Sequence, residues 1–185
     1  GTKEFVAWLP TLLGLGATDV VASPAIAYPT YEVGALIAGC QTAPVGSQAA
    51  LTWLNTPANP TGEVLTVEEL RDVVRFARET GSLVVSDECY IELGWDEQPV
   101  SILHPAVSGG DHTGLLALHS LSKRSNLAGY RFGFVAGDPA VVARLLEVRK
   151  HAGMMVPLPV QAAAVAAWSD DEHVRVQREL YARRR

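Results

Sequence analysis

Two kinds of apolar pattern share the chain. Short apolar runs with little polar alternation occur at Val20–Ala22, Leu51–Leu54, Leu83–Val85, Leu115–His119 and Phe132–Ala136. Runs of this kind, separated by stretches of helical period, predict strands buried on both faces of a mostly parallel sheet. The clearest helix is Val67–Thr80. Thr66 and Glu69 form a capping box, Leu70, Val73, Val74 and Ala77 make one apolar stripe, and Gly81 stops it. A second helix starts at Asp138-Pro139, an N-cap followed by an N1 proline, and runs through Leu145, Leu146 and Val148. No internal repeat or low-complexity segment interrupts the pattern. The expectation is an α/β domain of three layers, α/β/α, around a mostly parallel sheet.

Composition narrows the function classes. At 185 residues, with 48% hydrophobic and 19% charged residues, the chain suits one domain or part of a larger protein. A net charge of −5 argues against a nucleic-acid surface. The closing Arg183–Arg185 run reads as a solvated helix end, favoured by the macrodipole. Two cysteines, Cys40 and Cys89, make no disulfide framework, and the five histidines show no metal-ligand spacing with them. No apolar run reaches bilayer length and no export signal opens the chain, so a cytoplasmic location is expected. The first residues read as a helix start with nothing before it. Residues 172–185 read as an amphipathic helix without a terminator, and a fragment of a longer protein is expected.

In a parallel sheet covered on both faces, ligands sit beyond the carboxyl ends of the strands. Three successive runs end in polar segments: "NTPANPTG", "SDECY" and "SLSK". They deliver Asn59, then Asp87 and Tyr90, then Ser120, Ser122 and Lys123 toward one edge. A lysine at such a place is a covalent catalyst when its neutral amine forms a Schiff base with a carbonyl, and pyridoxal phosphate is the common carbonyl cofactor for that chemistry. Its ring nitrogen needs a carboxylate, for which Asp87 is the candidate; a turn or N-cap aspartate is the competing reading. Tyr90 and Asn59 offer donors to the phenolic oxygen, although Asn-Pro is also an ordinary turn former. Arg131, Ser120 and Ser122 offer a cation and hydroxyls to a phosphate, with the backbone amides of Thr2 and Lys3 at a helix N-terminus completing an anion cup. Tyr28 is placed to stack on a ring or to sit half-buried in its loop.

Together these residues resemble the fold-type I pyridoxal-phosphate enzymes, specifically the class I/II aminotransferases. The matching pieces are "NPTG" (59–62), "DECY" (87–90) and "SLSKRSNLAGYRFGF" (120–134), separated by 28 residues from Asn59 to Asp87, 36 from Asp87 to Lys123 and 8 from there to Arg131. The resemblance implies Lys123 as the Schiff-base lysine, Asp87 on the pyridine nitrogen, and Tyr90 and Asn59 on the phenolic oxygen. It implies Thr2, Lys3, Ser120, Ser122 and Arg131 around the phosphate and Tyr28 on the ring. It further implies that residues 1–185 are the large cofactor-binding domain, with 156–185 continuing toward a small C-terminal domain outside this chain. Family members are homodimers, and residues 151–161 would lie near the partner subunit. Longer stretches, including "SDECYIELGW" and "RKHAGMMVPLPVQAA", are similar to actinobacterial N-succinyldiaminopimelate aminotransferases of lysine and diaminopimelate synthesis.

The expected activity is amino transfer between glutamate/2-oxoglutarate and a keto acid, with N-succinyl-LL-2,6-diaminopimelate as the expected partner substrate. Two rivals keep most of these residues. One is a cystathionine-type C–S β-lyase, and the other is the aminotransferase-like sensor domain of a transcription regulator.

Overall fold

The computed structural model describes all 185 residues. In chain order the first half comprises α1 (Thr2–Leu13), β1 (Val20–Ser23), α2 (Thr30–Ala38), β2 (Gln41–Pro44), β3 (Leu51–Asn55), α3 (Val67–Thr80) and β4 (Leu83–Asp87). The second half comprises α4 (Pro105–Ser108), β5 (Leu115–Ser120), α5 (Leu121–Arg124), β6 (Gly133–Gly137), α6 (Pro139–His151), α7 (Leu158–Trp168) and α8 (Glu172–Arg184). The six strands form one sheet in the order β2-β1-β3-β4-β5-β6. All neighbours pair in parallel except β5 and β6, which are antiparallel. The expected mostly parallel α/β/α architecture is the one observed.

Side-chain alternation explains the layers. On one face Leu51 and Trp53 of β3, Val85 of β4, and Leu116 and Leu118 of β5 pack against α1, α2 and α6. On the other, Leu54, Val84, Leu115 and Ala117 pack against α3 and α4. Helix α3 carries its capping box, Thr66 N donating to Glu69 Oε2 at 2.8 Å and Glu69 N to Thr66 Oγ1 at 3.2 Å, and ends at Gly81 with φ 75°. Helices α1 and α2 touch at Gly34, where a Cβ would lie 2.8 Å from the Val6 carbonyl oxygen. Only a glycine permits that approach, which fixes α2 against α1 beside the strand ends.

The strands run slightly further than the apolar runs. β3, β4 and β5 end on Asn55, Asp87 and Ser120, because the backbone ladder continues into the polar residues that follow each run. β6 starts at Gly133 rather than Phe132. β2 has no apolar run; "QTAP" is largely exposed at the sheet edge, where one neighbour suffices. No helix is long and apolar enough to cross a membrane.

Candidate active site

Asn55, Asp87 and Ser120 occupy the carboxyl ends of three adjacent parallel strands. Asn55 and Asp87 are aligned partners in the ladder, while Asp87 pairs with Leu118, which puts Ser120 one pleat further out. By the alternation above, all three side chains leave on the face covered by α1 and α2. They border a cavity of about 410 Å³, a volume of the kind that takes a small-molecule cofactor. Thr2, Lys3, Tyr28, Asn59, Asp87, Tyr90, Ser120, Ser122, Lys123 and Arg131 all line it. Every candidate residue named from the sequence is therefore brought to one place.

Most of them are held by identifiable devices. The N-terminus of α1 has no side-chain cap; Glu4 N and Phe5 N turn back to the Gly1 carbonyl, which leaves the amides of Thr2 and Lys3 without intrahelical acceptors. Arg131 sits in the left-handed region at φ 54°, and its Nη1 donates to the Ala128 carbonyl at 2.7 Å. A Cβ on Gly1 would fall 2.8 Å from Arg131 Nη2, so the bare glycine admits the guanidinium beside the start of α1. Ser120 Oγ accepts from Ser122 N at 3.1 Å and starts α5, a single turn that carries Lys123. Lys123 is exposed at the cavity, its Nζ 5.7 Å from the centre of the Tyr90 ring. Tyr28 is half-buried, edge-on to Tyr31 at 5.7 Å, with Lys3 Nζ 5.6 Å from its ring centre.

Three further residues make contacts there that the sequence pattern does not single out. Tyr31, almost fully buried and stacked on Trp53 at 4.9 Å, donates its hydroxyl to Asp87 Oδ2 at 2.9 Å. Burial first, and the Asp87 charge second, push that phenol well above its ordinary range, so it acts as a fixed neutral donor. Cys89 N donates to the other oxygen, Asp87 Oδ1, at 3.1 Å. Asn55 is buried, donating to the carbonyls of Pro57 and Asp87 at 3.2 and 3.0 Å and accepting from Asn59 N at 2.7 Å. It thus ties the Asn59 loop to the β4 end. The available signals were spacing for Tyr31, which sits one helical turn after Tyr28, and position for Asn55, the first polar residue after an apolar run. The Cys89 thiol also faces the cavity, and burial pushes it up, away from thiolate character.

The fold and this cavity define an α/β domain with a lysine at the carboxyl edge of its sheet, among donors suited to an anionic ring compound. The chain belongs to the aminotransferase class I and II family, whose match covers residues 1–185. It is 65% identical over its full length to a probable aminotransferase of Mycobacterium tuberculosis, covering 46% of that protein. It is 59% identical, again over its full length, to the 4-dedimethylamino-4-oxo-anhydrotetracycline transaminase OxyQ of Streptomyces rimosus, covering 54% of it. Among solved structures, the aminotransferase AspB of Helicobacter pylori superposes with a TM-score of 0.87 at 31% identity, over 98% of this chain and 54% of that one. A probable N-succinyldiaminopimelate aminotransferase of Thermus thermophilus superposes with a TM-score of 0.77 at 27% identity, over 97% and 54%. The chain thus spans about half the length of the relatives it matches.

The family depends on pyridoxal phosphate, and the donor set fits that group. A carboxylate gripped by two neutral donors, two cations, two serine hydroxyls, two free helix amides and an aromatic face border the same cavity as the lysine amine.

Proposed function

We propose that this chain is the cofactor-binding large domain of a pyridoxal-phosphate-dependent aminotransferase. In this reading residues 156–185 continue toward a small domain that completes the substrate site. The observation that carries the reading is the convergence of Lys123, Asp87 and their eight companions on one cavity. The names of the relatives as aminotransferase and transaminase favour amino transfer over β-elimination or a sensor role.

Bound there, the cofactor supplies a carbonyl for the lysine amine and an electron sink for the substrate Cα. Lys123 Nζ would hold it through that carbonyl, and its free amine would serve as general base and then acid for the proton at the substrate Cα. Asp87 would keep a proton on the ring nitrogen, and its carboxylate is oriented for this because Tyr31 and Cys89 N occupy one oxygen each. Tyr90 and Asn59 would donate to the phenolic oxygen. Ser120, Ser122, Arg131 and the amides of Thr2 and Lys3 would hold the phosphate, and Tyr28 would cover the ring. The half-reactions alternate, so ping-pong kinetics follow.

The amino donor is glutamate, with 2-oxoglutarate as its product. The acceptor proposed is the keto acid related to N-succinyl-LL-2,6-diaminopimelate. The succinyldiaminopimelate likeness of the Thermus thermophilus fold neighbour supports it, and OxyQ, with higher identity, marks a tetracycline-type ketone as the competing acceptor. The partner proposed is a second copy of the chain, and the apolar side chains of Met155, Leu158 and Val165, all largely exposed, support a covering surface near residues 151–161.

The test is the visible spectrum of the complete protein with pyridoxal phosphate, before and after glutamate. The expected result is a band of lysine-bound cofactor that glutamate converts to the pyridoxamine form. Lys123→Ala is expected to lose the band and all measurable turnover. A Lys123→Ala protein that keeps a sizeable fraction of the parent rate overturns the assignment.

A further inference from the structure

The residue after Lys123 points the other way and is buried. Arg124 has a side chain only 6% exposed, and its guanidinium fork is filled by three separate elements. Nε donates to Glu92 Oε1 at 2.7 Å, in the 3₁₀ turn Ile91–Leu93 that directly follows Tyr90. Nη1 donates to the Ala167 carbonyl at 2.8 Å, in the last turn of α7, and also reaches Ser125 Oγ at 3.5 Å. Nη2 donates to Asp171 Oδ1, at the start of α8. The group also lies 5.9 Å from the centre of the Trp168 ring. Arg124 is outside the cavity, and the chemistry proposed above gives it no part.

We propose that Arg124 is a positioning residue that sets the direction in which Lys123 enters the cavity. The inference rests on the reading of Lys123 as the cofactor lysine. The physical case starts with α5, which is one turn of four residues. A helix that short has no orientation of its own, since nucleation is unfavourable and packing must hold it. Its anchors are the Ser120 cap, the buried Leu121 and Arg124. Adjacent residues on a helical turn are about 100° apart, so gripping Arg124 fixes the rotation of the turn and with it the exit of Lys123. The Glu92 contact adds a second constraint, because Glu92 lies two residues beyond Tyr90. One ion pair thereby locks the lysine segment against the tyrosine segment, consistent with Lys123 Nζ lying 5.7 Å from the Tyr90 ring.

The fork matters as much as the charge. A lysine at 124 keeps the charge as a single point but cannot serve three acceptors in fixed directions. Asp171 is largely exposed, so its ion pair is the weakest of the three contacts, and the Glu92 pair and the Ala167 carbonyl carry the clamp.

The experiment compares the complete protein with Arg124→Lys, Arg124→Met and Glu92→Gln. Cofactor-free samples are mixed with pyridoxal phosphate, and the rate constant for appearance of the visible band is measured beside the melting temperature and, with glutamate, kcat and KM. The expected result for Arg124→Lys is a folded protein whose band forms about 10- to 100-fold more slowly, the scale of a small misplacement of a reacting group. Its kcat should fall with KM little changed. Glu92→Gln should show the same fall to a smaller degree, which keeps the test open if Arg124→Met does not fold. Band formation at the parent rate in Arg124→Lys and Glu92→Gln overturns the inference. So does a loss of amplitude with an unchanged rate constant, the mark of a merely structural staple. A parent protein that forms no band overturns the Lys123 assignment itself.

Discussion

Asp87 and Glu88 are neighbours in the chain and leave the end of β4 toward opposite faces of the sheet. Both are buried, yet their surroundings differ. Asp87 meets a neutral donor at each oxygen, the Tyr31 hydroxyl and Cys89 N. Glu88 has one oxygen on Ile102 N at 2.8 Å, while its other oxygen has no hydrogen-bond partner and lies 3.3 Å from His119 Nε2. Burial pushes the Glu88 carboxyl up to about 7. Two buried acids at the end of one strand thus receive different environments, a donor at each oxygen for Asp87 and a donor at one oxygen only for Glu88. The cavity face supplies a donor to each oxygen of its carboxyl group; the opposite face leaves one oxygen without a hydrogen bond.

Removing the charge on the cavity side tests this most severely. Asp87→Asn preserves shape while deleting the proposed partner of the ring nitrogen. A pair at about 4 Å is worth roughly 4 kcal/mol at an effective dielectric of 20, so turnover should fall about a thousandfold and cofactor affinity with it. An unchanged rate would end the electron-sink role. Tyr31→Phe is milder. It keeps the stack on Trp53 and removes one hydrogen bond to a charged group, about 1.5–3 kcal/mol. Cys89 N still holds the other oxygen, so the expected fall in kcat/KM is about tenfold, with a shifted pH midpoint of the visible band. If both readouts match the parent protein, Asp87 is oriented without Tyr31.

The same contrast shows what was legible in advance. Lys123, Asp87, Asn59, Tyr90, Ser120 and Ser122 were readable because each follows a strong apolar run, and Thr2 and Lys3 because they open a helix. Five strands announced themselves as apolar stretches; β2, edge-bound and polar, did not. Tyr31, Asn55 and Arg124 act through distance in three dimensions. Tyr31 reaches across 56 positions to Asp87 and Arg124 reaches 43 to Ala167. No local pattern encodes such partners, because the parallel sheet brings its strand ends together through crossovers whose lengths say nothing of which side chains meet. Glu88 is the instructive case: in the run "SDECY" it looks like Asp87, and only the pleat, which alternates faces, separates their fates.

The smallest effect on activity, and the sharpest on stability, should come from that other face. The raised pKa of Glu88 means that the folded chain keeps a proton that the unfolded chain releases above its ordinary 4.5. Its contribution to stability is therefore complete below pH 4.5 and lost as pH rises through about 7. At 1.36 kcal/mol per unit of pKa the loss is on the order of 3 kcal/mol. His119, held below its ordinary 6.5 chiefly by burial, works in the opposite sense. Its contribution is present above 6.5 and lost as pH falls through the depressed folded value. Asp87 adds to the rise at Glu88, and Glu92 and Asp87 temper the fall at His119, so the two titrations oppose each other across the neutral range. Urea unfolding of the complete protein between pH 4 and 8 should separate them. In Glu88→Gln the decline in stability toward pH 7 should vanish, leaving the rise that His119 imposes. In His119→Asn the decline should be unopposed and steeper. Turnover should stay near the parent value in Glu88→Gln, since that carboxyl lies outside the cavity. A Glu88→Gln stability profile that overlays the parent's would mean that the proton resides elsewhere, and that the missing donor at Glu88 leaves its titration unperturbed.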